Sequence, residues 1–393
     1  MMKVFIADDS ILIRNVVKEI LGTDGGIAVI GEAANGELAV SKVLELKPDI
    51  VIMDMDMPVM NGLEATSRIT RRSNIPVLLF TNNTDPELPF RALERGAAEF
   101  MRKPTFNDLN RPEYVRMFTE TLRTIAGRYR GRIFYSPEKA GDDYDAAAGA
   151  SAFHSLPEAA AAPSAMPGMV PVAVQSPAAV QSASAGLASS LAEAGRQACL
   201  ADSEARPRII ALGASTGGPQ AVARFLSLLG GPAELPLVIV QHIETGFDKG
   251  YADWLSQESG LTVRLARAGE RPVAGIVYVA PTDFHLVFTA GVFGLDDGEK
   301  LLNQKPAVDA LFKSAAEQYG RHVLAVLLTG MGTDGANGCL AVKAAGGVTL
   351  VQDEASSLIY GMPRAAVERG AACHVLPLDA IGHYVACLME RFR

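Results

Sequence analysis

Cysteine is scarce in this chain: four residues in 393 (Cys199, Cys339, Cys373 and Cys387), none in a CxxC spacing. So few thiols cannot staple a chain of this length, which argues against a disulfide-built secreted scaffold and for reduced thiols in a cytoplasmic setting. Basic residues are outnumbered, 36 Lys+Arg against 44 Asp+Glu, leaving a formal charge of -8. That balance speaks against a nucleic-acid binder, which needs a basic face. No apolar run reaches the roughly 18 residues of a spanning helix, so membrane insertion is not predicted. The first residues, Met1-Met2-Lys3-Val4-Phe5-Ile6-Ala7-Asp8-Asp9, turn acidic before a signal-peptide core forms. What remains is ordinary globular material, 49% apolar and 20% charged. At about 150 residues per domain, the length suggests two or three domains.

Three zones follow one another. From Lys3 to about Ala126, short apolar runs alternate with amphipathic segments. Val4–Ala7, Ala28–Ile30, Ile50–Met53, Val77–Phe80 and Glu99–Met101 read as strands, and Leu12, Val16, Val17, Ile20 and Leu21 share one helix face. Residues 127–205 form an Ala/Pro/Ser-rich segment whose only basic residue between Ala140 and Ala205 is Arg196. It offers too little apolar surface to offset its chain entropy and is predicted to be a flexible linker, transiently helical over Leu187–Leu200. From Arg206 the alternation resumes. Strands are expected at Arg208–Leu212, Leu237–Gln241, Val277–Ala280, His285–Phe288, Val323–Leu328, Val348–Val351 and His374–Leu376, with a hairpin insert around Gly291. Both outer zones are predicted to be α/β, each with a parallel sheet covered on both faces.

In such sheets chemistry collects beyond the carboxyl ends of the strands. In the first zone those positions hold Asp8 and Asp9, Asp54, Thr81 and Lys103. Clustered carboxylates repel unless a cation sits among them, and an oxygen-rich shallow site suits Mg²⁺. A metal-flanked carboxylate is a good phosphoryl acceptor, with Thr81 and Lys103 placed to bind phosphoryl oxygens. Competing with this, Ser10 or Asp9 serves as a cap for the following helix. Asp56 reads either as a solvated loop acid or as a donor of its backbone carbonyl to the metal.

Residues 1–125 resemble a response-regulator receiver domain, through Asp8-Asp9, Asp54-Met55-Asp56-Met57-Pro58, Asn61-Gly62, Thr81 and Lys103-Pro104. The resemblance implies a flavodoxin-like, five-stranded parallel sheet, phosphorylation of Asp54 by a histidine kinase, and a cis Lys103–Pro104 bond. Phe100 falls where that family often carries an aromatic switch residue; a buried strand aromatic is the other reading.

In the second zone, Gly213-Ala214-Ser215-Thr216-Gly217-Gly218 lies between a strand and a helix opened by Pro219. Gly213 to Gly217 satisfies G-x-S-x-G, a context that exposes a serine on a tight turn. A dinucleotide loop would need glycine where Ser215 stands. Of six histidines, His242 alone follows directly after a buried apolar strand, Leu237–Gln241, on the same sheet edge as Ser215. His322 and His374 stand at strand starts, His285 opens a strand of the insert, His383 is a helix residue and His154 lies in the linker. Asp334, in the glycine-rich run after Val323–Leu328, reaches the same edge, either as the orienting acid or as a helix cap. The Met331 N–H, in that run, is the oxyanion candidate. The order Ser215…His242…Asp334 differs from the Ser…Asp…His order of α/β-hydrolases, which would select His374.

Residues 208–378 resemble the catalytic domain of the chemotaxis receptor methylesterases, the CheB family. The matches are Gly213–Gly218, Gln241-His242, Val308-Asp309 with Leu311-Phe312, Leu328–Gly335, and Gln352-Asp353 with Tyr360-Gly361-Met362-Pro363. Glu244 replaces the family's usual proline. The resemblance implies a phosphorylation-activated serine hydrolase that demethylates glutamyl methyl esters, and deamidates certain glutamines, on the cytoplasmic helices of methyl-accepting chemoreceptors. It carries over Ser215 as nucleophile, His242 as base, Asp334 as orienter and Thr216 as a neighbour in the hydrogen-bond network. Ester hydrolysis is expected to need no cofactor; Mg²⁺ serves the receiver. The competing expectations are a signalling adaptor with a silent hydrolase fold, and another receiver-linked acyl hydrolase.

Overall fold

The structure is a computed structural model that describes residues 1–82, 85–129, 177–202, 204 and 206–391. The N-terminal domain runs β1 (Met2–Ala7), α1 (Ile11–Gly22), β2 (Ile27–Ala33), α2 (Gly36–Leu46), β3 (Ile50–Asp54), α3 (Gly62–Arg72), β4 (Val77–Thr81), α4 (Leu88–Glu94), β5 (Glu99–Arg102), α5 (Phe106–Leu109) and α6 (Pro112–Tyr129). Its five strands are all parallel in the order β2-β1-β3-β4-β5. β3 and β4 are buried along their whole length, as expected of continuous apolar runs between two helical layers.

The C-terminal domain opens with α7 (Pro177–Ala201), followed by β6 (Ile209–Ala214), α8 (Gly218–Ser227), β7 (Leu237–Gln241), α9 (Asp248–Ser259), β8 (Thr262–Leu265) and β9 (Ile276–Val279). The hairpin β10 (His285–Thr289) and β11 (Val292–Asp296) then precedes α10 (Val308–Tyr319), β12 (Val323–Leu327) and α11 (Ala336–Ala344). β13 (Val348–Gln352), α12 (Met362–Glu368), β14 (His374–Leu376) and α13 (Leu378–Glu390) complete it. Seven parallel strands lie in the order β14-β13-β12-β6-β7-β9-β8, with the expected hairpin as a separate antiparallel pair. β8 escapes sequence reading because it is a short edge strand, half exposed and with little alternation to betray it.

Three expectations are corrected. First, residues 177–201 are not a flexible linker but a helix laid on α13. Gly195 makes this close approach feasible: a side chain there would collide with the Ala380 carbonyl. Buried Cys199 seals the contact, and Asp202 accepts from His374 Nε2 (2.8 Å) and the Tyr384 hydroxyl (2.6 Å). A face of small side chains, short of apolar bulk, packs closely against a partner helix. Second, α6 extends past the expected boundary at 126 to Tyr129. Residues 130–176, including His154, lie outside the described residues. Third, Lys103–Pro104 is trans; Lys305–Pro306 is cis. From this backbone Lys103 reaches Asp8 and Asp54.

Candidate active site

In the N-terminal domain the strand ends converge as predicted. Ser10, not Asp9, caps α1. Asp8, Asp9 and Asp54 bring carboxylate oxygens within 4.8 Å of one another. Lys103 Nζ bridges Asp8 Oδ2 (3.0 Å) and Asp54 Oδ1 (2.7 Å), and Thr81 is buried at the end of β4. Burial, with Asp8 beside it, pushes Asp54 up to about 6 against the pull of Lys103. Asp54 Oδ2 is buried without a hydrogen-bond partner. An orphaned carboxylate oxygen beside two further acids fits a hard divalent cation, which would also restore the ionised form. Asp56 has an exposed side chain, and its N–H donates to Asp54 Oδ1 at 3.3 Å.

In the C-terminal domain three adjacent strands, β12, β6 and β7, end side by side where the strand order reverses. Ala214 pairs with Gln241 across β6 and β7, so the next residues, Ser215 and His242, emerge next to each other. Asp334 reaches them from the loop after β12. His242 Nε2 lies 2.9 Å from Asp334 Oδ2, with both side chains buried. A carboxylate only accepts, so Nε2 carries the proton and Nδ1 keeps the basic lone pair. Nδ1 is buried and has no hydrogen-bond partner.

The helix-cap reading of Asp334 is settled by its partners. It accepts from Val308 N–H (2.7 Å) and Asp309 N–H (2.8 Å), the first turn of the neighbouring helix α10, and from Gly335 N–H (2.8 Å). Burial alone would raise its pKa, but His242 and the N–H groups of Asp309 and Val308 hold it below the usual carboxylate range. Asp334 is therefore a fixed anion.

Several polar contributors were given no role by sequence reading, although Gln241, Asp309, Thr329 and Gln352 lie inside the stretches that resemble the family. Gln241 Nε2 donates to the Ser215 carbonyl at 2.8 Å and to the His242 carbonyl at 3.1 Å, tying the two turns together. The Thr329 hydroxyl donates to the Thr216 carbonyl (3.0 Å), and Gln352 Oε1 accepts from Thr329 N–H (2.7 Å). Buried Asp309 accepts from Gly338 N–H (2.7 Å), joining α10 to α11. His285 accepts from Ala307 N–H at 3.1 Å, just ahead of α10. Their signal was a place in or beside those stretches, which does not reveal a hydrogen-bond partner. His374 is committed to Asp202, and His322 faces the Arg206 carbonyl. Neither joins the site.

The two domains are packed face to face at this edge. Ser215 is 8% exposed. Leu358, Ile359 and Met331 join a core that includes Phe80, Phe118 and Leu122 of the N-terminal domain. Phe90 stacks on Trp254 (5.5 Å) and lies 5.4 Å from Tyr251, while Phe100 meets Phe90 at 5.5 Å and Phe247 at 6.4 Å. Phe100 thus stands in the domain contact rather than inside a single core.

The family described as CheB methylesterase matches residues 210–385, and the response regulator receiver domain matches residues 4–111. A protein-glutamate methylesterase/protein-glutamine glutaminase of Anaeromyxobacter dehalogenans is 37% identical over 380 residues, 96% of this chain and 94% of that one. The chain belongs to the CheB methylesterase family. A second relative with that description, from Geobacter metallireducens, is 35% identical over 97% of both chains. The crystal structure of the Thermotoga maritima CheB methylesterase catalytic domain is 39% identical, covering 46% of this chain and 98% of that one, with a TM-score of 0.44. A CheB methylesterase carries a receiver and a hydrolase in one chain, which accounts for both strand-edge constellations. Among the described residues, no helix is long and apolar enough to cross a membrane.

Proposed function

We propose that this chain is a phosphorylation-activated serine esterase that removes methyl groups from glutamyl esters, and deamidates specific glutamines, on the cytoplasmic domains of chemoreceptors. The observation that carries the reading is the buried His242–Asp334 pair, 2.9 Å apart, on the strand edge that bears Ser215. Ser215 Oγ attacks the ester carbonyl and passes its proton to His242 Nδ1. Asp334 holds the ring and stabilises the imidazolium. The tetrahedral adduct collapses, and the His242 proton leaves with the methoxide as methanol. Water, deprotonated by the same Nδ1, then releases the glutamate from Ser215. With a glutamine substrate the leaving group is ammonia and the other steps are unchanged.

The receiver supplies control. The carboxylates of Asp8, Asp9 and Asp54, with the Asp56 carbonyl, would hold Mg²⁺, which offsets charge on the phosphoryl group arriving from a histidine kinase. Asp54 accepts that group, and Thr81 and Lys103 bind its oxygens. Ser215 is only 8% exposed and the receiver packs on the turn that bears it, so in this reading a receptor helix gains access when the receiver moves. The enzyme works in the cytoplasm, where its substrates' signalling helices lie.

The test is methanol release from a methylated receptor cytoplasmic fragment, with and without a small-molecule phosphodonor and Mg²⁺. Turnover that rises with phosphodonor and vanishes in Ser215→Ala supports the reading. Undiminished turnover in Ser215→Ala overturns it.

A further inference from the structure

The main chain beside Ser215 is gripped from both sides. Gln241 holds the Ser215 carbonyl from β7, and Thr329 holds the Thr216 carbonyl from the end of β12. Because a peptide is planar and trans, fixing the Thr216 carbonyl turns the N–H of Gly217 the opposite way. Gly217 adopts φ 73° at the head of α8, a conformation glycine tolerates. Its N–H donates to a side chain rather than to backbone. It meets Glu99 Oε2 of the receiver's β5, at 2.5 Å and 118 residues away in sequence.

Glu99 is an unusual residue to bury. It is 6% exposed, and its other oxygen accepts only from the N–H of its own neighbour Phe100, at 3.1 Å. Among the described residues no cation accompanies it, so desolvation raises its pKa to about 7 against the pull of those two N–H groups. Its side chain has the shape and chemistry of the esterase's own product, a glutamate γ-carboxyl group.

Resting on the esterase reading above, we propose that Glu99 is a tethered inhibitor whose carboxyl group takes the Gly217 N–H that, in the open enzyme, donates to the oxyanion of the glutamyl substrate. The Gly217 N–H then serves beside the Met331 N–H. A helix N-terminus favours such an anion, and two backbone N–H groups suffice for an oxyanion hole. The latch lies on β5, with Phe100 next to it and Lys103, which contacts the proposed phosphoryl acceptor Asp54, just beyond.

The proposal fixes a sign for pH. The closed form binds the Glu99 proton more tightly than the open form, so closing is favoured at low pH and weakens as pH rises toward about 7. One unit of pH in that window is tenfold in the closing equilibrium. No charged side chain from the elements packed on Glu99 contributes to its ionisation. Elsewhere in the interface, Glu258 on α9 is raised by burial and by Glu94 on α4, and this pair also favours closing at low pH. A Glu99 variant leaves that pair intact, so the difference between variants isolates Glu99.

The experiment uses the unphosphorylated full chain as wild type, Glu99→Gln and Glu99→Ala. Two rates are read between pH 6 and 8: receptor methyl-ester turnover, and modification of Ser215 by a fluorophosphonate, followed by mass. Glu99→Ala is expected to raise both rates about tenfold or more at pH 7. Glu99→Gln keeps the shape and the acceptor without burying charge, so it should match wild type or fall below it and lose the Glu99 share of the pH dependence. In Glu99→Ala, added acetate at constant ionic strength should restore inhibition. Equal activation by both variants makes the side chain mere filler and overturns the proposal. So does a rise below twofold in Glu99→Ala, or its indifference to acetate. Should wild type fail to release methanol even with phosphodonor, the esterase reading falls, while Ser215 modification still reports on Glu99.

Discussion

Phe90 of α4 is the most informative single contact between the domains. It is fully buried, stacked on Trp254 at 5.5 Å and an interplanar angle of 20°, and 5.4 Å from Tyr251. Phe90→Leu keeps most of the buried volume but removes both aromatic pairs across the interface. Such pairs contribute about 0.5–1.5 kcal/mol each beyond area burial, so closing should weaken by about 1–3 kcal/mol. At about 1.4 kcal/mol per tenfold, that shifts the closing equilibrium by about 5- to 150-fold. The Phe90–Phe100 pair lies within the receiver and is lost in the open and closed forms alike, so it cancels. Basal esterase activity should rise by the same factor, up to the ceiling set by the phosphorylated wild type. Trp254 is the single tryptophan of the chain, so its fluorescence reports the same opening directly, in wild type with phosphodonor and in Phe90→Leu without it. A folded Phe90→Leu protein with basal turnover within twofold of wild type would show that this face does not shut the site. Fluorescence unchanged by phosphodonor would say that phosphorylation acts without separating Phe90 from Trp254.

Ser215→Ala and His242→Ala should each lower turnover by several powers of ten, because nucleophile and base act as a unit, whereas His374→Ala should stay within about tenfold of wild type; loss of activity in His374→Ala alone would restore the usual hydrolase order. Asp54→Asn should abolish Mg²⁺-dependent activation by phosphodonor, and a phosphoryl mass shift persisting in that variant would move the acceptor, with Asp56 the first place to look. Because the pKa of Asp334 is depressed, its contribution to stability is present above about 3.8, its ordinary value, and is lost as pH falls through its lower folded value; denaturant titrations of wild type and Asp334→Asn should therefore diverge above that range and converge in strong acid. Asp202→Ala removes the acceptor shared by His374 and Tyr384 and should cost about 1–3 kcal/mol of stability with turnover nearly unchanged; an unchanged melting temperature would mean that Asp202 does not pin α7.

The local order of this protein was legible in the sequence because it is periodic. Apolar runs of strand length, helical spacing between them and acids, serine or histidine just beyond the strand ends all follow from side-chain alternation and from a fold whose chemistry gathers on one edge. That is why Asp8, Asp54, Lys103, Ser215, His242 and Asp334 could be picked out, and why His374, at a strand start, could be set aside. Tertiary structure alone decided the rest. No spacing tells that Asp334 draws on the first turn of α10 rather than its own helix, or that His242 turns Nε2 toward it and leaves Nδ1 without a partner. The alanine-rich stretch read as linker because its composition is poor in apolar bulk, yet Gly195 and Cys199 gain their stabilisation from close fit to α13. Glu99 read as an ordinary strand residue, and became a buried carboxyl at the Ser215–Gly217 turn once the domains packed. Such contacts join residues far apart in the chain, where neither periodicity nor composition carries a trace of the partner. Docking two surfaces sets them, and only the folded molecule brings those surfaces together.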